Sequence, residues 1–323
     1  MFKKKIFISG NVYSTLYLNK LYQNSIIWIQ KLSNWIEFNR FKYNIEFLLL
    51  AKKETIINSD IILYFWPYSK CEAIFHLKYI FSLVPKDSSI FLVGENKSGI
   101  NTIQNLLNKW ILFKKIDSAK HCSLFFGKIH LRPKFKFNTF IFSNIYKNVN
   151  IKTIPGVFSY NKIDVGSQLL ISTFTNSITG DILDIGCGSG ILSILLAKFS
   201  NKVKLTLVDT NIAALKSSKL TLKSNNITGN VLLSDVYSNV YKKFDLIISN
   251  PPRHKNSKTN LNCIQEIIKN SVQYLKKNGE IRIVVNSHIS CHKFFKNTFT
   301  YYNVLKKEKN FTIYQAYKKN KIK

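Results

Sequence analysis

Acidic residues are scarce in this chain. Seventeen Asp and Glu stand against 48 Lys and Arg in 323 residues, a formal charge of +31, far beyond what solubility requires. Arginine is scarce too, with Arg40, Arg132, Arg253 and Arg282 as the only four. A polyanionic partner is one source of such an excess. Compositional drift is the other, because Lys, Asn, Ile, Phe and Tyr are all abundant, as A/T-rich coding produces. There is no basic tail: residues 1–150 hold 22 basic and 8 acidic side chains and the remainder 26 and 9, so both halves would face the polyanion. No apolar run reaches the roughly 18 to 20 residues of a membrane span; Ile61 to Trp66 and Ile191 to Ala197 are of core length. The stretch Met1 to Ile6 opens no long apolar segment with a cleavage site, which argues against secretion. Cys71, Cys122, Cys187, Cys263 and Cys291 form no CxxC pair, as expected of free thiols in a reducing cytoplasm. No metal site is expected, because His288, Cys291 and His292 have no fourth ligand nearby.

Hydrophobic residues make up 46% of the chain and aromatics 14%, which excludes a disordered polymer. The length suits two domains. Short β-branched runs alternate with amphipathic stretches, the pattern of an α/β protein with a mostly parallel sheet. Strands are expected at Asp181–Ile185, Lys204–Asp209, Val231–Leu233, Phe244–Ile248 and Glu280–Val285. Helices are expected over Leu192–Lys198, Ala213–Asn225 and Leu261–Lys276, with a turn at Lys277–Gly279 and a terminal antiparallel hairpin from Tyr302–Lys307 and Phe311–Tyr317. The first half echoes the second: Asp60–Tyr68 lies over Asp245–Arg253 at one constant offset, with Phe65 where the second copy has Asn250. An internal duplication divided near Lys147 to Thr153 explains the echo, giving domains 1–150 and 151–323. Two α/β layers alike for unrelated reasons would also produce it.

The second half carries the chemistry. Asp184-Ile185-Gly186-Cys187-Gly188-Ser189-Gly190 joins a strand to a helix. Its spacing is GxGxG rather than the GxGxxG built around a pyrophosphate. Bare glycine backbone at a helix start suits a closely approaching ligand, and the acid before it suits a cation, such as the aminoacid-sulfonium part of S-adenosylmethionine (SAM). Asp209, at the end of the next strand, can accept both hydrogen bonds of a ribose diol. Asp235, after the third, is placed for an adenine amine. Asn250-Pro251-Pro252 ends the fourth strand. An Asn side-chain oxygen and a neighbouring main-chain carbonyl can accept the two hydrogens of an exocyclic amine, and tandem prolines hold both carbonyls in place. Taken singly, each feature is also explained as a tight turn, a solvated strand end or a proline strand terminator.

These residues resemble class I SAM-dependent methyltransferases of the amino-methylating Asn-Pro-Pro type. Over nearly its full length the chain is similar to the ribosomal RNA small-subunit methyltransferase C family. Pro155–Ser159, Asp164–Leu170, Ile185–Gly190 and Ile247–Pro252 resemble the catalytic half of that family, and Tyr64–Pro67, Val93–Gly99 and Asp117–Lys120 its N-terminal domain. The resemblance implies two tandem Rossmann-like domains, the first degenerate and the second binding SAM, and methylation of guanine N2 in 16S ribosomal RNA with the base flipped into the pocket. It also implies that Phe158 and Gln168 wall the methionine end of SAM. The chain departs from the family at Arg253, where an aromatic residue follows Asn-Pro-Pro; a guanidinium plane can also stack on a base. Alternatives are a large-subunit RNA guanine methyltransferase of the same layout, a non-catalytic RNA-binding assembly factor, and a protein glutamine methyltransferase. A monomer is expected.

Overall fold

The computed structural model describes the chain except for residues 1–3, 13–18, 24, 87, 253–256, 309 and 319–323; of residues 257–260 only the backbone is described. The chain divides into two compact units, Met1–Phe140 and Ile141–Lys323. In order, the first contains β1 (Ile6–Gly10), α1 (Asn19–Gln23), β2 (Ser25–Ile29), α2 (Leu32–Arg40), β3 (Asn44–Phe47), α3 (Lys53–Ile57), β4 (Ile61–Phe65), α4 (Lys70–Leu83), β5 (Ser89–Glu95), α5 (Ile103–Leu107), β6 (Ile111–Ala119) and β7 (Cys122–Ile129). The second contains the hairpin β8 (Phe142–Tyr146) and β9 (Val149–Thr153), then α6 (Val165–Ile171), β10 (Gly180–Ile185), α7 (Ile191–Phe199), β11 (Val203–Asp209), α8 (Ile212–Ser224), β12 (Gly229–Leu233), β13 (Phe244–Ser249), α9 (Ser257–Tyr274), β14 (Leu275–Asn286), α10 (His292–Thr298), β15 (Tyr302–Glu308) and β16 (Phe311–Tyr317).

The two large sheets have the same topology. The first runs β3-β2-β1-β4-β5-β7-β6 and the second β12-β11-β10-β13-β14-β16-β15. In each, the first five strands in the row are parallel and an antiparallel hairpin closes one edge. Strand order reverses between β1 and β4, and between β10 and β13. Open parallel sheets bind ligands in the crevice beyond the carboxyl ends of such a pair.

Alternation along β10 explains both faces of the second sheet. Ile182 joins a buried cluster with Ile194, Leu195 and Leu222 of α7 and α8. Leu183 and Ile185 join the opposite cluster, with Ile264, Ile267 and Phe295 of α9 and α10. Asp184 therefore shares the α7 side with Ile182. The hairpin β8–β9 stays with the second unit because α8 secures it: Lys152 N donates to Thr221 Oγ1 at 3.0 Å and Ile154 N to Ser217 Oγ at 3.1 Å.

Boundaries differ from expectation at two places. The units divide between Phe140 and Ile141 rather than near Lys147 to Thr153, because that stretch belongs to the β8–β9 hairpin that α8 secures. α9 ends at Tyr274, and Lys277–Gly279 lies within β14 as a bulge. The partner register jumps from Phe244↔Leu275 to Leu246↔Glu280. Buried Leu275 resumes the pairing early, and Lys276 is held by Asp181 at 2.6 Å and Asp245 at 2.7 Å. Among the described residues no helix is long and apolar enough to cross a membrane.

Candidate active site

The glycine loop after β10 is tied to its neighbour: Gly186 N and Cys187 N both donate to Val208 O, at 2.9 and 3.0 Å. Gly186, Gly188 and Gly190 adopt φ of +71°, +55° and +79°, the left-handed region that strains other residues. A Cβ on Gly186 or Gly188 would meet nothing within 4 Å, whereas one on Gly190 would press on Leu207 and Ser218 at 3.2 Å. Two glycines thus leave bare backbone under an open crevice, and the third lets α7 pack on the sheet. Cys187 points the other way, buried, with Sγ 3.3 Å from Ser218 Oγ.

The three acids occupy different environments. Asp184 is fully buried beneath the loop instead of standing at its mouth. Its Oδ2 accepts from Ser193 Oγ at 2.7 Å, while Oδ1 is buried with no hydrogen-bond partner among the described residues. Burial pushes this carboxyl up to about 7; the negative charge of Asp209 adds to the rise and the Ser193 hydrogen bond opposes it. Asp209 braces the loop, accepting from Gly188 N at 3.0 Å and from Asn211 N at 2.9 Å. Asp235 is exposed in the turn after β12. The next residue, Val236, holds φ +48°, a costly conformation for a β-branched side chain.

Asn250 follows β13 directly. Ser249 Oγ ties this strand end to Ile185 O at 2.8 Å, so Asn250 comes next to the glycine loop across the reversal of strand order. Its Nδ2 donates to Asp164 Oδ2 at 2.9 Å and to Ser167 Oγ at 2.7 Å. Asp164 is also the N-cap of α6, accepting from Ser167 N at 2.9 Å. Pro251 is buried and Pro252 exposed. Phe158 is 55% exposed, on a segment linked to the Asp209 end through Asn211 Nδ2 and Gly156 O at 3.4 Å. Gln168 is exposed, its Nε2 donating to Ile163 O at 3.2 Å. Arg253, and His254 beside it, lie outside the described residues.

The structure therefore links Gly188 to Asp209 and sets Asn250 beside Gly186, with Asp235 at the adjoining strand end. Sequence reasoning missed Asp164 and Ser167 as partners of Asn250, and Ser193 as the partner of Asp184. The signal for the first was present: an Asp three residues before a Ser at a helix start is an N-cap pattern. That the cap would also reach Asn250, far along the chain, has no local trace.

The same positions can be found in the first unit by register. Ile8 pairs with Leu63 and Ile27 as Asp184 pairs with Ile248 and Leu207. Ile8 thus stands for Asp184, and Ile29 for Asp209, while Phe65 follows in the place of Asn250. Ile8 and Ile29 are buried in one cluster with Tyr22 and Phe38, and Phe65 packs on it. Gly10, at φ +92°, faces the Phe65 carbonyl, where a Cβ would collide, and Asn11 N donates to that carbonyl at 2.7 Å. Among the described residues, the strand-end positions that are polar in the second sheet are apolar and packed in the first.

Two family models match the chain: the methyltransferase small domain over residues 148–315 and the methyltransferase small domain N-terminal region over residues 1–144. A protein of Buchnera aphidicola subsp. Baizongia pistaciae named ribosomal RNA small subunit methyltransferase C is 52% identical over 294 residues, 88% of this chain and 90% of its own length. The protein of that name from Erwinia tasmaniensis is 38% identical over 322 residues, 99% of this chain and 94% of its own length. Among solved structures, the T. thermophilus 16S rRNA N2 G1207 methyltransferase in complex with AdoMet and guanosine matches with a TM-score of 0.79 at 17% identity, covering 99% of this chain and 89% of that one. That likeness extends the agreement to the fold of both units.

Proposed function

Since the chain belongs to the ribosomal RNA small subunit methyltransferase C family, we propose that its second unit transfers the methyl group of SAM to the exocyclic N2 of a guanine in 16S ribosomal RNA. The observation that carries this reading is the juxtaposition of an amide acceptor, Asn250, with the bare backbone of Gly186 and Gly188 at the reversal of strand order. The residues fit SAM. Open space over two glycines admits a ligand against the backbone, and the partnerless Oδ1 of Asp184 supplies negative potential below it. Asp209 is the acceptor for the ribose hydroxyls, Asp235 for the adenine amine, and Phe158 and Gln168 flank the methionine end.

When bound, SAM supplies an electrophilic methyl on sulfur. The aromatic amine of guanine is a weak nucleophile because its lone pair is delocalised into the ring. Asn250 Oδ1 and the adjoining main-chain carbonyl accept its two N–H bonds, which draws the nitrogen toward tetrahedral geometry and aims the lone pair at the methyl. Pro251 and Pro252 hold these acceptors still. Positioning of this kind can supply roughly 7 to 11 kcal/mol without a strong general base. Lysines of both units hold the RNA backbone, and the base leaves its stack to reach the pocket. The site is assembled within one unit of one chain, which supports action as a monomer; the free cysteines support a cytoplasmic setting.

Transfer of labelled methyl from SAM to naked RNA, isolated subunits and whole ribosomes, with the modified nucleotide mapped, tests the proposal. Label on guanine N2 of 16S RNA is expected. Label only on large-subunit RNA, or none with SAM unbound, overturns it.

A further inference from the structure

A side-chain amide has two orientations of nearly equal shape, and only one turns its oxygen toward a substrate amine. Asn250 is held in one of them by chemistry that admits no exchange. The Asp164 carboxylate can only accept, so the amide end 2.9 Å from its Oδ2 must be the nitrogen. Flipping the amide would set oxygen against oxygen. The second hydrogen of the same nitrogen goes to Ser167 Oγ at 2.7 Å, which leaves the carbonyl end to face the other way. The clamp is itself anchored, because Asp164 Oδ2 also caps α6 through Ser167 N at 2.9 Å, and Ser167 is buried.

We propose that Asp164 is a positioning residue for methyl transfer: it clamps the Asn250 amide with its oxygen toward the substrate amine and, through that amide, stabilises the positive charge that grows on the amine as it attacks. This rests on Asn250 being the acceptor for the substrate amine. The prolines after Asn250 fix its backbone and Asp164 with Ser167 fixes its side chain, so the acceptor is held from both ends. A carboxylate accepting from Nδ2 polarises the amide and makes Oδ1 the stronger acceptor. That effect is largest when the amine carries charge, which is in the transition state and not in the bound substrate.

Capping and clamping separate in two substitutions. Asp, Asn and Ser cap helices about equally well. In Asp164→Asn one oxygen can still accept from both Ser167 N and Asn250 Nδ2, with the charge removed. In Asp164→Ser the cap survives, but the hydroxyl is one bond shorter and can donate as well as accept, so it no longer dictates the amide's orientation. Both variants should melt with the wild type and bind SAM within about twofold by calorimetry. Against small subunits, kcat should fall about 3- to 10-fold in Asp164→Asn and about 30- to 100-fold in Asp164→Ser, with KM for the subunit unchanged, as for a misplaced reacting group. Wild-type activity in both variants would mean that helix capping is the whole role of Asp164 and would overturn the clamp, as would an equal loss in the two or a loss that appears in SAM affinity. Asn250→Ala is measured alongside. If it is inactive while Asp164→Ser is fully active, the clamp falls and the reading of Asn250 stands; if Asn250→Ala keeps full activity, both fall.

Discussion

The two sheets share strand order, direction and the position of the edge hairpin, yet among the described residues only the second carries polar side chains at the strand ends that border its crevice. In the first, Ile8, Ile29 and Phe65 occupy the positions of Asp184, Asp209 and Asn250, and two of them are core. A ligand site on a parallel sheet costs stability: Asp184 is buried with an orphaned oxygen and Val236 is held at positive φ. Apolar replacements in the first unit remove that cost and turn the site into packing. Retention of the fold therefore says little about retention of chemistry; the residues at the strand ends decide it.

The strongest way to break this comparison is to count ligands and then remove the acceptor. Calorimetry on the full chain should give one SAM per chain; two would mean that the apolar crevice of the first unit binds as well. Asn250→Ala should lower kcat by about 10²- to 10³-fold, the scale of one lost transition-state hydrogen bond, with SAM affinity changed only a few fold. Phe65→Ala, at the equivalent position, should leave kcat within about twofold, because position in the fold alone confers no role.

Next in size is the reverse exchange. Ile29→Asp puts a carboxylate where Asp209 stands in the other unit, but among apolar side chains with no ligand to answer it. An uncompensated buried charge of this kind costs about 3 kcal/mol or more. Urea unfolding should show the loss in the first unit, with methyl transfer kinetics of the folded enzyme unchanged. If the variant is as stable as wild type, Ile29 is not core. Asp209→Ala should have a smaller effect, weakening SAM by roughly 1 to 3 kcal/mol as the ribose hydroxyls lose a charged acceptor. Because Gly188 N and Asn211 N also lose their partner, part of that loss should appear as faster hydrogen exchange at those two amides.

Much of the contrast was legible in the sequence. Strand-to-helix alternation gave the elements of the second sheet, and the spacing of Asp184, Asp209, Asp235 and Asn250 placed each at a strand end. The exchange of Asn250 for Phe65 was visible from the offset alone. The Ile8 and Ile29 equivalences were not, because the two units differ in loop length and only strand register aligns them. Nor was the burial of Asp184: an acid before a glycine series looks the same whether it faces the ligand or α7, and alternation along β10 decides for α7. The partners Ser193, Asp164 and Ser167 come from elements separated from their acids and amide by packing, which local periodicity does not encode.

The smallest predicted effect sharpens the comparison at Asp184 itself. Its carboxyl sits at about 7 in the folded protein against an ordinary value of 3.8, through burial first and the charge of Asp209 second. Between those values the folded state holds a proton that the unfolded chain has released. The stability this confers is present in acid and is lost as pH rises toward and through 7. The loss between pH 6 and 7.5 amounts to about 1 kcal/mol for one such group. Asp184→Asn, neutral throughout and similar in shape, should abolish this part of the pH dependence and become the more stable protein at pH 7.5, with little difference near pH 4. Ile8 cannot titrate, so no matching slope arises at its position in the first unit. SAM should reduce the wild-type slope, because a cation near the orphaned oxygen favours the ionised carboxylate and so lowers its pKa in the complex. Unfolding followed in urea at both pH values, with and without SAM, checks each sign. A slope unchanged in Asp184→Asn would place the titrating group elsewhere, and the cost of keeping a polar crevice would then not be borne by Asp184.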